Sequence, residues 1–146
     1  MQQAAIEHLT EADISHILEI ENESFPDPWT KEKFQQELVL KFSHFFTAKI
    51  SGEIVGYIGL WHISDEGNIV NIAVKKNRRK EGIASRLLEH ILGVAAQKNI
   101  TNVYLEVRSK NLPAQNLYKK FGFEASYKRH AYYSDDDAIV MHKKIK

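Results

Sequence analysis

Apolar residues recur along this chain with two different periods, one typical of strands and the other typical of helices. After a short β-like run at Ala4–Leu9, apolar residues follow at helical spacing and predict a first helix over Glu11–Asn22. The segment Ser24–Trp29 (SFPDPW) is predicted to be a loop, because each proline disfavours helix in the residue before it. A second helix is expected to begin after Thr30, a suitable N-cap residue.

The middle of the chain is rich in β-forming residues. The runs His44–Ile50 and Glu53–Trp61 flank a Ser-Gly pair, which is a strong hairpin signal. A third run, Asn68–Val74, follows a predicted turn at Asp65–Asn68. The basic segment Lys75–Ala84 then opens a helix whose apolar residues form one continuous stripe.

The last third of the chain continues the alternation of strands and helices. Its predicted elements are a strand over Thr101–Ser109, a helix over Leu112–Gly122 with Asn111 as N-cap, and strands over Phe123–Tyr133 and Ala138–Ile145 around a turn at Ser134–Asp137. The element order β-α-α-β-β-β-α-β-α-β-β predicts an α/β fold, a mixed sheet of about seven strands flanked by four helices.

Composition narrows the possible chemistry. The chain contains no cysteine, which excludes disulfides, thiolate metal sites and a cysteine acyl-enzyme. Its 7 histidines are scattered, without a pair at the helical spacing of metal ligands, so we expect no metal. The 20 Lys and Arg residues nearly balance the 19 Asp and Glu residues, giving a formal net charge of +1. We therefore expect no direct binding of nucleic acid and none to a membrane surface.

The length and the amino-terminal residues set further expectations. With 146 residues, the chain is predicted to form a single domain over residues 1–146. No apolar run approaches the roughly 18 residues of a membrane span, and the first 15 or so residues lack the features of a secretory signal. A cytoplasmic protein is expected.

The segment Arg79–Ala84 (RKEGIA) lies where an apolar strand gives way to an amphipathic helix. The first turn of a helix leaves backbone N–H groups unpaired, and the helix dipole adds about half a positive charge there. A glycine allows a large anion to approach that backbone closely. The segment is therefore a candidate pyrophosphate site, with an exposed basic loop as the alternative interpretation. Neither a Walker loop nor a G-x-G-x-x-G fingerprint is present.

The stretch Val74–Ala84 (VKKNRRKEGIA) resembles the coenzyme A signature V-x-x-x-x-(Q/R)-x-x-G-x-(G/A) of the GNAT acetyltransferases. Within that superfamily, LEVRSKNLPAQNLYKKFGF, RHAYYSDDDAIVM and ESFPDPWT are similar to segments of the RimI family, the ribosomal-protein-alanine N-acetyltransferases. Two departures are Ala84, where relatives often carry glycine, and Lys76, where many carry proline. The resemblance implies a GNAT-like, mostly antiparallel sheet and acetyl-CoA as the cosubstrate.

The resemblance also assigns roles to side chains with ordinary structural explanations. Glu106 alternates with apolar residues on a predicted strand, and this pattern alone indicates a solvated carboxylate. In the RimI family, by contrast, the Glu of the L-E-V-R motif is the general base, so the resemblance implies this role for Glu106. Tyr118 lies at core-like helical spacing, whereas the family's Tyr in N-x-x-A-x-x-L-Y is the general acid. A phenol has a pKa close to that of a thiol and can protonate a departing thiolate. Asn111 fits both an N-cap and a coenzyme A contact.

Cofactor and acceptor contacts follow from the same resemblance. The expected cofactor-binding residues are Ile72, Ala73, Val74, Arg79, Lys80, Glu81, Gly82, Ile83, Ala84 and Asn111. The acceptor groove is expected between the Phe25–Trp29 loop and the Arg129–Asp137 hairpin. Tyr132 and Tyr133 are the expected contacts to the peptide backbone, with strand packing as the alternative explanation for both. Asp135–Asp137 is interpreted as a solvated turn, with attraction of a basic peptide as the alternative.

The sequence thus predicts an acetyl-CoA-dependent N-alpha-acetyltransferase acting by direct attack in a ternary complex. Its expected partner is the amino terminus of a protein, an alanine on a small-subunit ribosomal protein. Two alternatives are an acetyltransferase acting on a small-molecule amine or a protein lysine, and a non-catalytic coenzyme A-binding interaction module. The presence of both Glu106 and Tyr118 argues against the last, because a binding module needs neither.

Overall fold

A seven-stranded sheet organises the molecule in the computed structural model, which describes residues 3–145. The strands are β1 (Ala5–His8), β2 (Ser43–Ile50), β3 (Glu53–Ile63), β4 (Glu66–Val74), β5 (Asn102–Arg108), β6 (Glu124–Arg129) and β7 (Ala138–Lys144). The helices are α1 (Ile14–Ser24), α2 (Lys31–Val39), α3 (Ile83–Gln97) and α4 (Leu112–Lys120), with short 3₁₀ turns at Glu11–Asp13 and Lys76–Arg78. None of the helices within residues 3–145 is long and apolar enough to cross a membrane.

The strands lie in the order β1-β2-β3-β4-β5-β7-β6. Every neighbouring pair is antiparallel except β4 and β5, which run parallel because helix α3 connects them. The predicted fold class, a mixed and mostly antiparallel α/β sheet with four helices, is confirmed.

The two faces of the sheet carry separate cores, because successive side chains of a strand point to opposite faces. On one face, Phe45 and Tyr57 pack with the buried isoleucines of α1 and with Phe34 of α2. On the other face, Phe46 and Ile58 pack with the apolar stripe of α3 and with residues of α4. Helices α1 and α4 therefore approach the same sheet from opposite sides.

Two connections differ from the prediction. The turn expected at Asp65–Asn68 is shorter, because β3 and β4 remain paired as far as Ile63 and Glu66 and the chain reverses at Ser64, whose φ is 57°. Helix α1 also begins three residues later than expected, after a 3₁₀ turn, and ends two residues later at Ser24.

The strand predicted over Phe123–Tyr133 is wrong in its last four residues, 130–133. Strand β6 ends at Arg129, and Ala131 has a φ of 52°, which is incompatible with an extended strand. The Asp137 carboxylate accepts the Ala131 N–H (2.7 Å), and the Tyr133 N–H donates to the Asp136 carbonyl (3.0 Å). These contacts satisfy the backbone locally, so the chain forms a loop over residues 130–137.

Candidate active site

Strands β4 and β5 separate halfway along their length. Their parallel pairing ends at Ile69 and Leu105. On its other edge, β4 contains one additional residue, Val70. In the pairing with β3, Gly59 lies opposite Asn71 and the next residue, Leu60, lies opposite Ile69. Such a β-bulge bends a strand and turns it away from its neighbour. The sheet consequently opens in its middle.

Two cavities meet at this opening. One, of about 600 Å³, lies on the α3 and α4 side, and the other, of about 230 Å³, lies on the α1 side. Both are lined by Phe25, Ile72, Asn111 and Tyr118. A reagent in the larger cavity, called here the cofactor cavity, can therefore reach a second reagent in the smaller one, the acceptor cavity, through the gap in the sheet.

Nine of the ten predicted cofactor residues line the cofactor cavity. They are Ile72, Ala73, Val74, Arg79, Lys80, Gly82, Ile83, Ala84 and Asn111. Glu81 is the exception, because its side chain faces Arg78 (Nη1 to Oε1, 3.5 Å) and borders a neighbouring cavity instead. Asn111 also caps α4 as predicted, since its side-chain oxygen accepts the Ala114 N–H at 3.2 Å.

The amino end of α3 has the form of an anion cradle. Gly82 precedes the helix with a φ of 80°, and a Cβ placed there would have nothing within 4 Å. No side chain caps the first turn of α3, so its N–H groups are directed at the cavity with the positive end of the helix dipole. Arg78, Arg79 and Lys80 add positive charge to the same wall.

The loop of residues 75–82 is held against the carboxyl end of α1. Arg79 donates from Nε to the Val74 carbonyl (3.2 Å) and from Nη2 to the Ser24 hydroxyl (3.3 Å). The Lys76 N–H donates to the Glu23 carboxylate at 2.7 Å. A proline at position 76, common in the family that the sequence resembles, would lack this donor.

Backbone groups of β4 face the opening. The Val74 carbonyl accepts a hydrogen bond from Arg79 at the edge of β4 that faces β5 but is no longer paired with it. The N–H and C=O groups of one strand residue point to the same edge, so the Val74 N–H also faces the opening. Because the direction alternates along the strand, the N–H of Ile72 also points to this edge. The opening therefore offers backbone donors beside both cavities.

Glu106 is the first residue of β5 beyond the last position paired with β4, and it lines the acceptor cavity. Its neighbours Leu105 and Val107 are buried on the opposite face, as the alternation predicted. The carboxylate lies 3.4 Å from Nη1 of Arg129, and its side chain remains 31% exposed. It is therefore accessible to a ligand within the cavity.

Tyr118 lies on α4 between the two cavities and is only 6% exposed. The helix ends with a Schellman motif, in which the Phe123 N–H donates to the Tyr118 carbonyl (3.1 Å) and the Gly122 N–H to that of Lys119 (3.0 Å). Burial, assisted by the nearby Tyr133, raises the pKa of Tyr118 well above its ordinary value. The phenol consequently keeps its proton at any physiological pH.

Three of the four residues predicted to contact the acceptor, namely Phe25, Trp29 and Tyr133, line the acceptor cavity. Burial, with Tyr132 and Glu106 nearby, raises the pKa of Tyr133 to about 12, and the Arg108 guanidinium lies 4.2 Å from its ring centre. Tyr132 instead lies outside this cavity, 45% exposed and beneath the Arg129 guanidinium.

The aspartates of the loop over residues 130–137 also differ from a simple solvated turn, because Asp136 accepts from the Ser109 hydroxyl (2.6 Å) and from the Lys110 N–H (2.9 Å).

Sequence reasoning missed Glu21 and Asn71, which both line the acceptor cavity. Glu21 is 1% exposed and accepts a hydrogen bond from the Asn71 amide at 2.9 Å. A signal was available, because Glu21 lies four residues after Ile17 and seven after Ile14, on the apolar stripe of the predicted helix. A carboxylate at such a position indicates a buried polar contact.

Comparison with known proteins agrees with this geometry. The family model described as Acetyltransferase (GNAT) family matches residues 14–123, so the chain belongs to this family and is an acetyltransferase. A Bacillus subtilis (strain 168) protein with the provisional name [ribosomal protein bS18]-alanine N-acetyltransferase is 38% identical over 141 residues, covering 94% of this chain and 93% of its own length. An N-alpha-acetyltransferase of Sulfurisphaera tokodaii is 37% identical over 145 residues, covering 88% and 86%. The crystal structure of the ribosomal-protein-S18-alanine N-acetyltransferase from Escherichia coli superposes with a TM-score of 0.91 at 27% identity, covering 98% and 94%.

The family resemblance and the enzyme class predicted from the sequence are thus confirmed. The cofactor cavity also fits the family's cosubstrate, acetyl-CoA. The open space at Gly82, the uncapped α3 terminus and the basic wall suit a pyrophosphate, and the cavity continues from there to the gap in the sheet. Among the described residues, no group of three or more His, Asp or Glu side chains could hold a metal ion.

Replacing Gly82 with valine should abolish most of the rise in melting temperature that acetyl-CoA produces. A ligand that binds only the native state stabilises it by mass action, and a side chain at residue 82 occupies the space that the anion needs. Gly52→Val is a matched control, because Gly52 also has a positive φ (82°) and open space, in the β2–β3 turn. Thermal unfolding with and without acetyl-CoA measures both variants, and a full ligand-induced shift in Gly82→Val would contradict the assignment.

Proposed function

We propose that this acetyltransferase is an N-alpha-acetyltransferase that moves the acetyl group of acetyl-CoA to the terminal amine of a protein. The acceptor is an alanine at the amino terminus of a small-subunit ribosomal protein, and transfer is direct, within a ternary complex. The observation that carries the proposal is the meeting of two cavities at the gap between β4 and β5, with Glu106 on one side and Tyr118 shared by both. The names of the Bacillus subtilis and Escherichia coli relatives support this class of acceptor.

The acceptor cavity is the smaller of the two cavities and has aromatic residues in its wall. Its volume is about 230 Å³, and the rings of Phe25, Trp29 and Tyr133 form part of its wall. A terminal amine is mostly protonated at neutral pH and must lose a proton before it can attack. Glu106 accepts this proton, directly or through a water, because it is the carboxylate on β5 that lines the cavity beside the gap.

Acetyl-CoA supplies a thioester, whose carbonyl is open to attack by an amine and whose thiolate is the leaving group. The backbone N–H groups on the open edge of β4 can stabilise negative charge on the carbonyl oxygen. Tyr118 donates its proton to the departing sulfur, a role supported by its position between the cavities. Its raised pKa keeps the phenol protonated until the thiolate forms, although it also makes the phenol a weaker acid. Holding both reagents in line supplies much of the remaining acceleration. A ribosomal acceptor would place this activity in the cytoplasm.

Peptides that begin with Ala should be acetylated faster than otherwise identical peptides that begin with Leu or Lys. The proposed acceptor begins with alanine, and each methylene of a larger first residue that the aromatic wall of the cavity does not accommodate costs roughly 10-fold or more in kcat/KM. The measurement is mass spectrometry of a peptide panel incubated with the enzyme and acetyl-CoA. Equal rates for the three first residues would show that the acceptor cavity does not select an N-terminal alanine.

A further inference from the structure

The side chain of Glu21 connects three parts of the acceptor cavity. It projects from α1, and one carboxylate oxygen, Oε1, accepts from the Tyr57 hydroxyl on β3 and from the Asn71 amide (2.9 Å) on β4. The other oxygen, Oε2, accepts the backbone N–H of Trp29 at 2.8 Å. Trp29 belongs to the loop that forms one wall of the cavity, and Asn71 follows the bulge that opens the sheet.

Glu21 is held without a countercharge. It is 1% exposed, and none of the ion pairs found within residues 3–145 includes it, so neutral donors alone satisfy its carboxylate. Burial of a carboxylate under these conditions costs free energy, which an apolar residue at the same position on the α1 stripe would avoid. The contacts made by Glu21 fall on the two elements that define the width of the acceptor cavity.

A second buried carboxylate shows the contrast. Glu37 on α2 is also 1% exposed, and it accepts from Lys33 Nζ (3.1 Å), the Ser43 hydroxyl (2.7 Å) and Trp61 Nε1 (2.6 Å). These partners join α2 to β2 and β3, and neither Glu37 nor any of them lines the acceptor or the cofactor cavity. Lys33 also lies over the Trp29 ring (Nζ to ring centre, 5.0 Å), but none of the contacts that Glu37 makes within residues 3–145 reaches the Trp29 backbone or β4.

We propose that Glu21 is a positioning residue for the acceptor. By fixing the Trp29 backbone against β4, it sets the width of the pocket that receives the first residue, while Glu106 remains the base. This inference rests on the proposed function, because it assigns Glu21 to the selection of the terminal residue.

The test compares Glu21→Gln with Glu37→Gln. A glutamine amide replaces one acceptor oxygen with a donor, so either the Trp29 N–H or the Tyr57 and Asn71 pair faces a second donor. In Glu21→Gln we expect KM for an Ala-initiated peptide to rise about 10- to 100-fold and the preference for Ala over Leu to shrink. The affinity for acetyl-CoA and the shape of the pH profile of kcat should match the wild type. Glu37→Gln should lower the melting temperature but leave KM and the preference unchanged.

Three results would overturn the proposal. The first is a Glu21→Gln variant whose KM and preference for Ala over Leu match the wild type. The second is an equal change of KM and of this preference in Glu21→Gln and Glu37→Gln. The third is a loss of kcat in Glu21→Gln that a higher pH restores, which would make Glu21 the base. Should Glu21→Gln fail to fold, Asn71→Ala removes the β4 contact alone and should shift KM and preference in the same direction.

A readout independent of activity separates this inference from the proposed function. Acrylamide quenching of Trp29 fluorescence, measured in a Trp61→Phe background, should increase when Glu21→Gln releases the loop, whatever the acceptor is. Unchanged quenching would contradict the positioning role. If the wild-type enzyme acetylated only lysine side chains and no terminal amine, the proposed acceptor would be wrong, whatever the quenching result.

Discussion

Turnover of Glu106→Gln should fall about 100- to 10,000-fold near neutral pH, the usual contribution of a general base. The amide keeps the shape of the side chain but cannot accept the proton of the acceptor ammonium. An α-amino group has a pKa of about 7.7 to 8.0, so the neutral form of the substrate increases between about pH 6 and about pH 9. The defect should therefore shrink as the pH rises. The measurement is the pH profile of kcat for the variant and the wild type.

Glu7→Gln is the matched control for this prediction. Glu7 on β1 is an exposed carboxylate 3.2 Å from Lys49 Nζ, and it resembles Glu106 in facing one cation across a surface contact. Loss of such a pair changes stability by about 0 to 1 kcal/mol, so the control should keep its turnover. Near-normal turnover of Glu106→Gln across the whole pH range would remove Glu106 from the role of base.

Tyr118→Phe should lose turnover by a similar factor, about 100- to 10,000-fold, without recovery at high pH. The variant removes only the phenol oxygen, so the thiolate must leave without a proton, and deprotonation of the acceptor does not help that step. Because burial raises the pKa of Tyr118, the wild type should keep its acid throughout the same range. Acetyl-CoA affinity, measured by calorimetry, should change little.

Tyr104→Phe controls for the removal of a phenol oxygen elsewhere. Tyr104 on β5 stacks on His142, with ring centres 4.7 Å apart, and lines neither the acceptor nor the cofactor cavity. Its turnover should match the wild type. If raising the pH restored Tyr118→Phe as fully as Glu106→Gln, the two residues would not have separate roles.

Local patterns account for most of the fold and for the cofactor side of the site. The β2–β3 hairpin, the stripe on α3 and the Asn111 cap depend on residues near one another in sequence, so periodicity and capping rules predict them. The cradle at Gly82 is local for the same reason, since a strand end, a glycine and a helix start follow each other directly.

The acceptor side depends on contacts between distant residues, which no local pattern contains. The Arg129–Glu106 pair and the Glu21–Asn71 hydrogen bond join residues 23 and 50 positions apart. Nothing in the sequence distinguishes Tyr132 from Tyr133 either, because both are aromatic residues at the end of the strand predicted over Phe123–Tyr133. In the structure, Ala131 adopts a left-handed conformation that the Asp137 carboxylate holds by accepting its N–H. The strand therefore ends before the two tyrosines, and of the two only Tyr133 lines the acceptor cavity.

The most direct test of the central claim uses one peptide that has both a free amino-terminal Ala and an internal lysine. Its matched partner has the same sequence with the amino terminus blocked beforehand. After incubation with the enzyme and acetyl-CoA, fragmentation mass spectrometry locates the added acetyl group. We expect acetylation of the terminal amine in the first peptide and no transfer to the second. Efficient acetylation of the lysine in the blocked peptide would contradict the central claim.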